Sequence, residues 1–121
     1  MKYEEITSDI IKCFYKVYNN LGYGFLEKVY ENALFIELKK LNYNIEKQRE
    51  IKVYYEDEIV GNYFADLLVD NKIIVELKAC ESLRNEHKSQ LINYLKATKQ
   101  EVGLLLNFGK KAEFKRVIFS N

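Results

Sequence analysis

Phe64-Ala65-Asp66-Leu67-Leu68-Val69-Asp70-Asn71-Lys72-Ile73-Ile74-Val75-Glu76-Leu77-Lys78 is the stretch on which the fold turns. Two apolar runs, residues 65–69 and 73–77, flank a turn at Asp70-Asn71-Lys72 and read as buried central strands. Each run carries an acid, and an unpaired acid inside a buried strand needs a reason. Alternate residues of a strand share a face, so Glu76 and Lys78 project together while Leu77 points the other way. Where Asp66 falls depends on the turn. A two-residue Asp70-Asn71 loop sets it opposite Val75, with Glu76 on the other face, whereas a three-residue loop including Lys72 sets it opposite Glu76. The sequence permits both registers.

Working upstream, period-two patterning begins at Asn44. Ile51, Val53 and Tyr55 fall on one face, Glu56-Asp57-Glu58 interrupts, and Ile59, Val60, Tyr63 and Phe64 follow, which predicts a hairpin. Together with the opening stretch this makes three strands in a consecutive antiparallel meander. Ile6, Ile10, Cys13, Phe14, Val17 and Leu21 recur at helical spacing and predict a helix over about residues 4–20. After the Gly22-Tyr23-Gly24 break, Leu26, Val29, Tyr30, Ala33, Leu34, Leu38 and Leu41 mark a second helix. Downstream, Ser82 and Asn85 are candidate caps for a third helix from about Glu86 to Ala97, and residues 102–108 and 114–119 read as two further strands. The predicted order is ααβββαββ. With no proline, repeat or low-complexity run, a single domain over residues 1–121 is expected.

Composition bounds the function. A chain of 121 residues with 48% hydrophobic and 31% charged residues belongs with ordinary globular proteins, not with disordered or fibrous chains. Nineteen basic against 18 acidic residues leave no global positive field, which disfavours a protein that coats DNA but not an enzyme whose bound cation supplies the positive charge. Lys110, Lys111, Lys115 and Arg116 form the one basic concentration along the chain, either a solvated face or a phosphate contact. The longest apolar run, residues 33–36, is far below the roughly 18 residues of a membrane span, so no membrane association and a cytoplasmic location are expected. Cys13 and Cys80 lack partners at zinc-ligand spacing and are expected as free thiols.

Two carboxylates close together repel unless a proton or cation lies between them, and in an apolar sheet a divalent cation relieves the cost. Magnesium takes oxygen ligands, which suits Asp66, Glu76 and a backbone carbonyl at Leu77. Lys78 is then placed to orient or deprotonate a water and to stabilise charge on a phosphate. On the third helix His87, Gln90, Leu91 and Tyr94 share one face, where an amide and a phenol can position substrate without adding charge. For Tyr94 a core aromatic, and for His87 a capping role, compete with that reading. Glu27 opens the second helix, where the helix dipole favours a carboxylate in any case. The segment Gly24-Phe25-Leu26-Glu27-Lys28-Val29-Tyr30 reads GxxExxY, and the glycine is expected to let this helix start close against the sheet.

These motifs resemble the GxxExxY proteins, a branch of the PD-(D/E)xK nuclease superfamily. The likeness runs in order from Leu21-Gly22-Tyr23-Gly24-Phe25-Leu26-Glu27 through Ala65-Asp66-Leu67-Leu68 and Val75-Glu76-Leu77-Lys78 to Gln90-x-x-x-Tyr94 and Gly103-Leu104-Leu105-Leu106-Asn107-Phe108-Gly109. Ala65 stands where the superfamily's name has proline. The resemblance implies an α/β, restriction-endonuclease-like core with a mixed β-sheet flanked by helices. It also implies a Mg²⁺ or Mn²⁺ site at Asp66 and Glu76, completed by Glu27, with Lys78 as catalytic lysine. It favours the register that brings the acids together, and Gln90 with Tyr94 looks like the QxxxY motif of RecB-like members. The activity expected from it is metal-dependent phosphodiester hydrolysis, with DNA favoured over RNA as polymer; a chain this short offers little surface to a duplex, so a homodimer or protein partner is also expected. A catalytically silent binding or assembly module and a small cyclic-nucleotide phosphodiesterase are the alternatives.

Overall fold

The structure is a computed structural model that describes residues 2–120; Met1 and Asn121, the ends of the expected domain, lie outside the described residues. Helices α1 (Glu4–Leu21) and α2 (Glu27–Lys40) precede strands β1 (Ile45–Tyr55), β2 (Glu58–Val69) and β3 (Ile73–Lys78). Helix α3 (Asn85–Lys96) leads to β4 (Val102–Phe108) and β5 (Ala112–Ile118). The order is the expected ααβββαββ. The five strands lie in one sheet in chain order, antiparallel except for the parallel pair β3 and β4 that α3 bridges.

The sheet is sandwiched. On one side Ile10, Phe14 and Val17 of α1 with Tyr30, Leu34 and Leu38 of α2 bury against Leu67, Val75, Leu77, Leu104 and Leu106. On the other, Leu91, Tyr94 and Leu95 of α3 cover Ile51, Ala65, Ile74, Leu105 and Val117. Because β3 and β4 are buried on both faces, they read as continuous apolar runs and not as alternating ones. No helix among the described residues is long and apolar enough to cross a membrane.

Two local expectations are corrected. The cap of α3 is neither Ser82 nor Asn85 but Arg84, whose backbone N–H donates to His87 Nδ1 at 3.0 Å. The imidazole thus does what a Glu or Gln does in a capping box. Gly24 does not bring α2 close to the sheet, since a Cβ there would meet no atom within 4 Å. Its φ of 111° is what requires glycine.

Candidate active site

The turn chooses the register. Val69 pairs with Ile73, Leu68 with Ile74 and Leu67 with Val75, so Asp70, Asn71 and Lys72 form a three-residue loop and Asp66 stands across from Glu76. There the ladder gives way to side chains. The Asp66 N–H donates to Glu76 Oε2 at 2.7 Å and the Leu77 N–H donates to Asp66 Oδ2 at 2.8 Å. Each carboxylate replaces a backbone acceptor, and this holds the strands apart around the acids.

The other edge of β2 breaks at the same rung. Lys47 pairs with Leu67 and Arg49 with Ala65, but Gln48 between them has φ 52° and forms no rung with Asp66. The rotation transfers the strand faces. Leu67 and Val69 pack toward α1 and α2, whereas Ala65, of the same parity, packs toward α3. Asp66 sits at the crossover, where both helical layers can reach it.

Burial and mutual repulsion dominate the electrostatics. Glu76 is 5% exposed, and loss of solvent followed by the Asp66 charge raises its pKa to about 8, against hydrogen bonding from the Asp66 backbone and attraction to Lys78. Asp66 is raised by burial and then by the Glu31 charge, with the Leu77 N–H, Gln48 and Lys78 opposing. Glu27 is exposed as a residue, but its carboxyl end leans into the site. Loss of solvent raises its pKa, while Lys78, the Ala79 backbone and His87 lower it. Tyr94 is pushed up to about 12 by burial and by the Glu76 and Asp66 charges. Asp66, Glu76, Lys78, Glu27, His87 and Tyr94 therefore share one electrostatic neighbourhood. Gln90 lines a groove beside Tyr94, and the Leu77 side chain is buried in the α1/α2 core, leaving only its main chain to the site.

Two residues escaped the sequence reading. Glu31, only 3% exposed, accepts hydrogen bonds from Lys28 Nζ at 3.0 Å and Gln48 Nε2 at 2.8 Å. The same Gln48 nitrogen reaches Asp66 Oδ1 at 3.4 Å, so one amide spans two acids. The available signal was spacing: Glu31 follows Glu27 by one helical turn. Gln48 carried none, because the acids its amide reaches lie 17 and 18 residues away in the chain.

The GxxExxY segment now has a structural account. The Tyr30 hydroxyl donates to the Gly22 carbonyl at 2.7 Å and accepts from the Phe25 N–H at 3.2 Å, while its ring stacks on Phe108 at 4.3 Å. The tyrosine fixes the loop that delivers Glu27. The basic run near the C-terminus does not form one patch: Lys110 and Lys111 sit in the β4–β5 turn, and Arg116 is engaged by the Lys2 carbonyl. Both cysteines are free thiols.

Carboxylate oxygens, a main-chain carbonyl and no thiolate suit a hard divalent cation. Among the described residues no three His, Cys, Asp or Glu side chains close into a cage. A cation here would therefore rest on two carboxylates plus main chain, water and substrate, which is the usual arrangement for magnesium.

The crystal structure of SSO0001 resembles this fold with a TM-score of 0.62 at 23% identity, over 78% of this chain and 51% of that one. The chain thus spans about half of that protein's length. No curated protein matches in sequence. A family model covers residues 4–117, and with the acids and lysine grouped on β2 and β3 the chain belongs to the PD-(D/E)XK nuclease superfamily.

Proposed function

We propose that the protein hydrolyses phosphodiester bonds with Mg²⁺ or Mn²⁺, with DNA as the favoured polymer, and that it belongs to the GxxExxY branch. The observation that carries this reading is the opposition of half-buried Asp66 and buried Glu76 across the β2–β3 pair, two acids held together at a cost that a cation offsets. Asp66, Glu76 and the Leu77 carbonyl would hold the ion, with Glu27 at the rim. Bound there, a divalent cation supplies charge neutralisation and polarises the phosphate. Lys78 positions the attacking water and stabilises charge developing on the phosphate oxygens. Gln90 and Tyr94 hold the substrate backbone by neutral hydrogen bonds, and His87, whose Nδ1 serves the helix cap, offers Nε2. Two free thiols support a reducing compartment, the cytoplasm.

The test is cleavage of DNA, RNA and cyclic nucleotides with and without Mg²⁺ or Mn²⁺, repeated with Glu76→Ala and Lys78→Ala. Metal-dependent cutting by wild type that both variants lose supports the reading. No cutting of any substrate, or variants as active as wild type, ends it. A silent binding scaffold is the second reading, favoured by the near-zero net charge of the chain. That scaffold would show no rise in melting temperature with Mn²⁺, whereas a site that binds the native state must show one.

A further inference from the structure

A groove of about 950 Å³ lies between the β1–β2 hairpin and α3; its lining includes Tyr54, Tyr63, Gln90, Lys52, Lys96 and, toward the acids, Tyr94. A second groove of about 500 Å³ shares Lys52, Tyr54 and Ala97 with it and adds Arg49, Lys72 and Lys99. The shared residues join the two into one furrow. It starts at Tyr94, within the electrostatic reach of Glu76, and ends at the β2–β3 turn.

Its chemistry is that of a polynucleotide site. Five cations line it against Glu86, Glu50 and Glu101; Arg49 is paired with Glu46 and Lys52 with Glu50, so Lys72, Lys96 and Lys99 carry its positive surplus although the whole chain is nearly neutral. Glu101 is further occupied by Lys2. Tyr54 and Tyr63 are 59% and 47% exposed, leaving ring surface open in the furrow. The Tyr63 and Tyr94 rings are 5.7 Å apart and tilted by 43°, too close for a base to enter between them, so a base would stack on an outer face. A duplex keeps all but its terminal base faces inside its own stack and offers these rings little. A single strand presents both base faces and phosphates, and pairing aromatic platforms with cations is the general way proteins hold one.

We infer that this furrow is a binding track for single-stranded nucleic acid, leading a phosphodiester of the strand to Asp66 and Glu76. The inference rests on the hydrolase reading for what happens at the acids, but not for binding.

The experiment is fluorescence anisotropy of the whole chain in chelator, where no cutting occurs. The probes are labelled oligodeoxyuridylate and oligouridylate long enough to fill the furrow, a deoxyuridine dinucleotide, and a blunt duplex of the same length. Either long strand is expected to bind at least about tenfold tighter than the duplex, and the tighter of the two identifies the sugar. Affinity should rise with strand length, and Tyr54→Ala should weaken it about tenfold while melting as wild type does, with Tyr63→Ala, which also loses its contact with Tyr94, weakening it as much. Lys52→Ala, on another exposed side chain, should weaken it independently. Duplex binding equal to strand binding, no gain with length, or tyrosine variants that bind like wild type would overturn the track. The two readings fail separately. A protein that cuts only duplex refutes the track and keeps the hydrolase, and one that binds single strands as described but cuts nothing with Mn²⁺ does the reverse.

Discussion

Gln48 occupies a left-handed backbone that costs an L side chain about 1–2 kcal/mol, and the protein tolerates it because the amide then spans Glu31 and Asp66. Gln48→Ala keeps the strain and removes the bridge, leaving Glu31 buried with one partner fewer. The expected loss is about 1–3 kcal/mol in denaturant unfolding. Gln48→Gly loses the bridge but relieves the backbone and should recover about 1 kcal/mol of that. Equal stability of the two variants would refute this account. Glu76 gives a pH signature. Its carboxyl has a folded pKa of about 8 against an ordinary 4.5, so the native state holds a proton that the unfolded chain releases. That stability is complete below pH 4.5 and is lost as pH rises through about 8. In chelator the melting temperature should therefore fall across this window, with a slope of at most about 1.4 kcal/mol per pH unit from this group. Glu76→Gln should flatten the fall; an unchanged slope would show that other groups cause it.

At the scale of elements, helices and strands were legible because their apolar spacing is regular: α1 and α2 begin and end within a residue or so of expectation. The β2–β3 register was not. It depends on whether Lys72 belongs to the loop or to β3, and Asp70 and Asn71, both left-handed, serve either turn. At the start of α3 the capping role expected for His87 is found, whereas Arg84 as the cap residue was not legible because arginine carries no cap signal. The grouping of Asp66, Glu76 and Lys78 was legible because strand parity and motif order put them together. Gln48 was not legible, because its amide's partners Glu31 and Asp66 lie on elements far from it in the chain, and Glu31 showed only by its spacing from Glu27. Tyr30 ties the α1–α2 loop to the start of α2, so its hydroxyl acts on a whole element. Tyr30→Phe keeps the stacking on Phe108 but leaves the Gly22 carbonyl and Phe25 N–H unpaired. A loss of about 1–2 kcal/mol is expected, with faster hydrogen exchange confined to residues 22–27. Uniform exchange throughout α2 would contradict a local role.

At the scale of the whole molecule, the chain is nearly neutral and places its positive charge by folding. Arg49, Lys52, Lys72, Lys96 and Lys99 are dispersed in sequence and meet only in the furrow, whereas the basic run that sequence makes conspicuous is split in space. A single strand held along the furrow should show a falling log affinity with log salt, and each lysine replaced by alanine should reduce the slope by about 0.7. Replacing Lys111 should leave it unchanged. Titrations at several salt concentrations decide this, and equal effects of Lys99→Ala and Lys111→Ala would refute the assignment.

The broken rung at Gln48 and Asp66 also bears on how such a protein diversifies. It separates the β1–β2 hairpin into a root laddered to β3 and a blade beyond residue 49 that stands over α3. A blade attached through one twisted joint can be exchanged like a tool head. Grafting a foreign hairpin tip over residues 54–60 should change what is gripped while the acids keep their positions, so new specificity can arise in this lineage without rebuilding its chemistry.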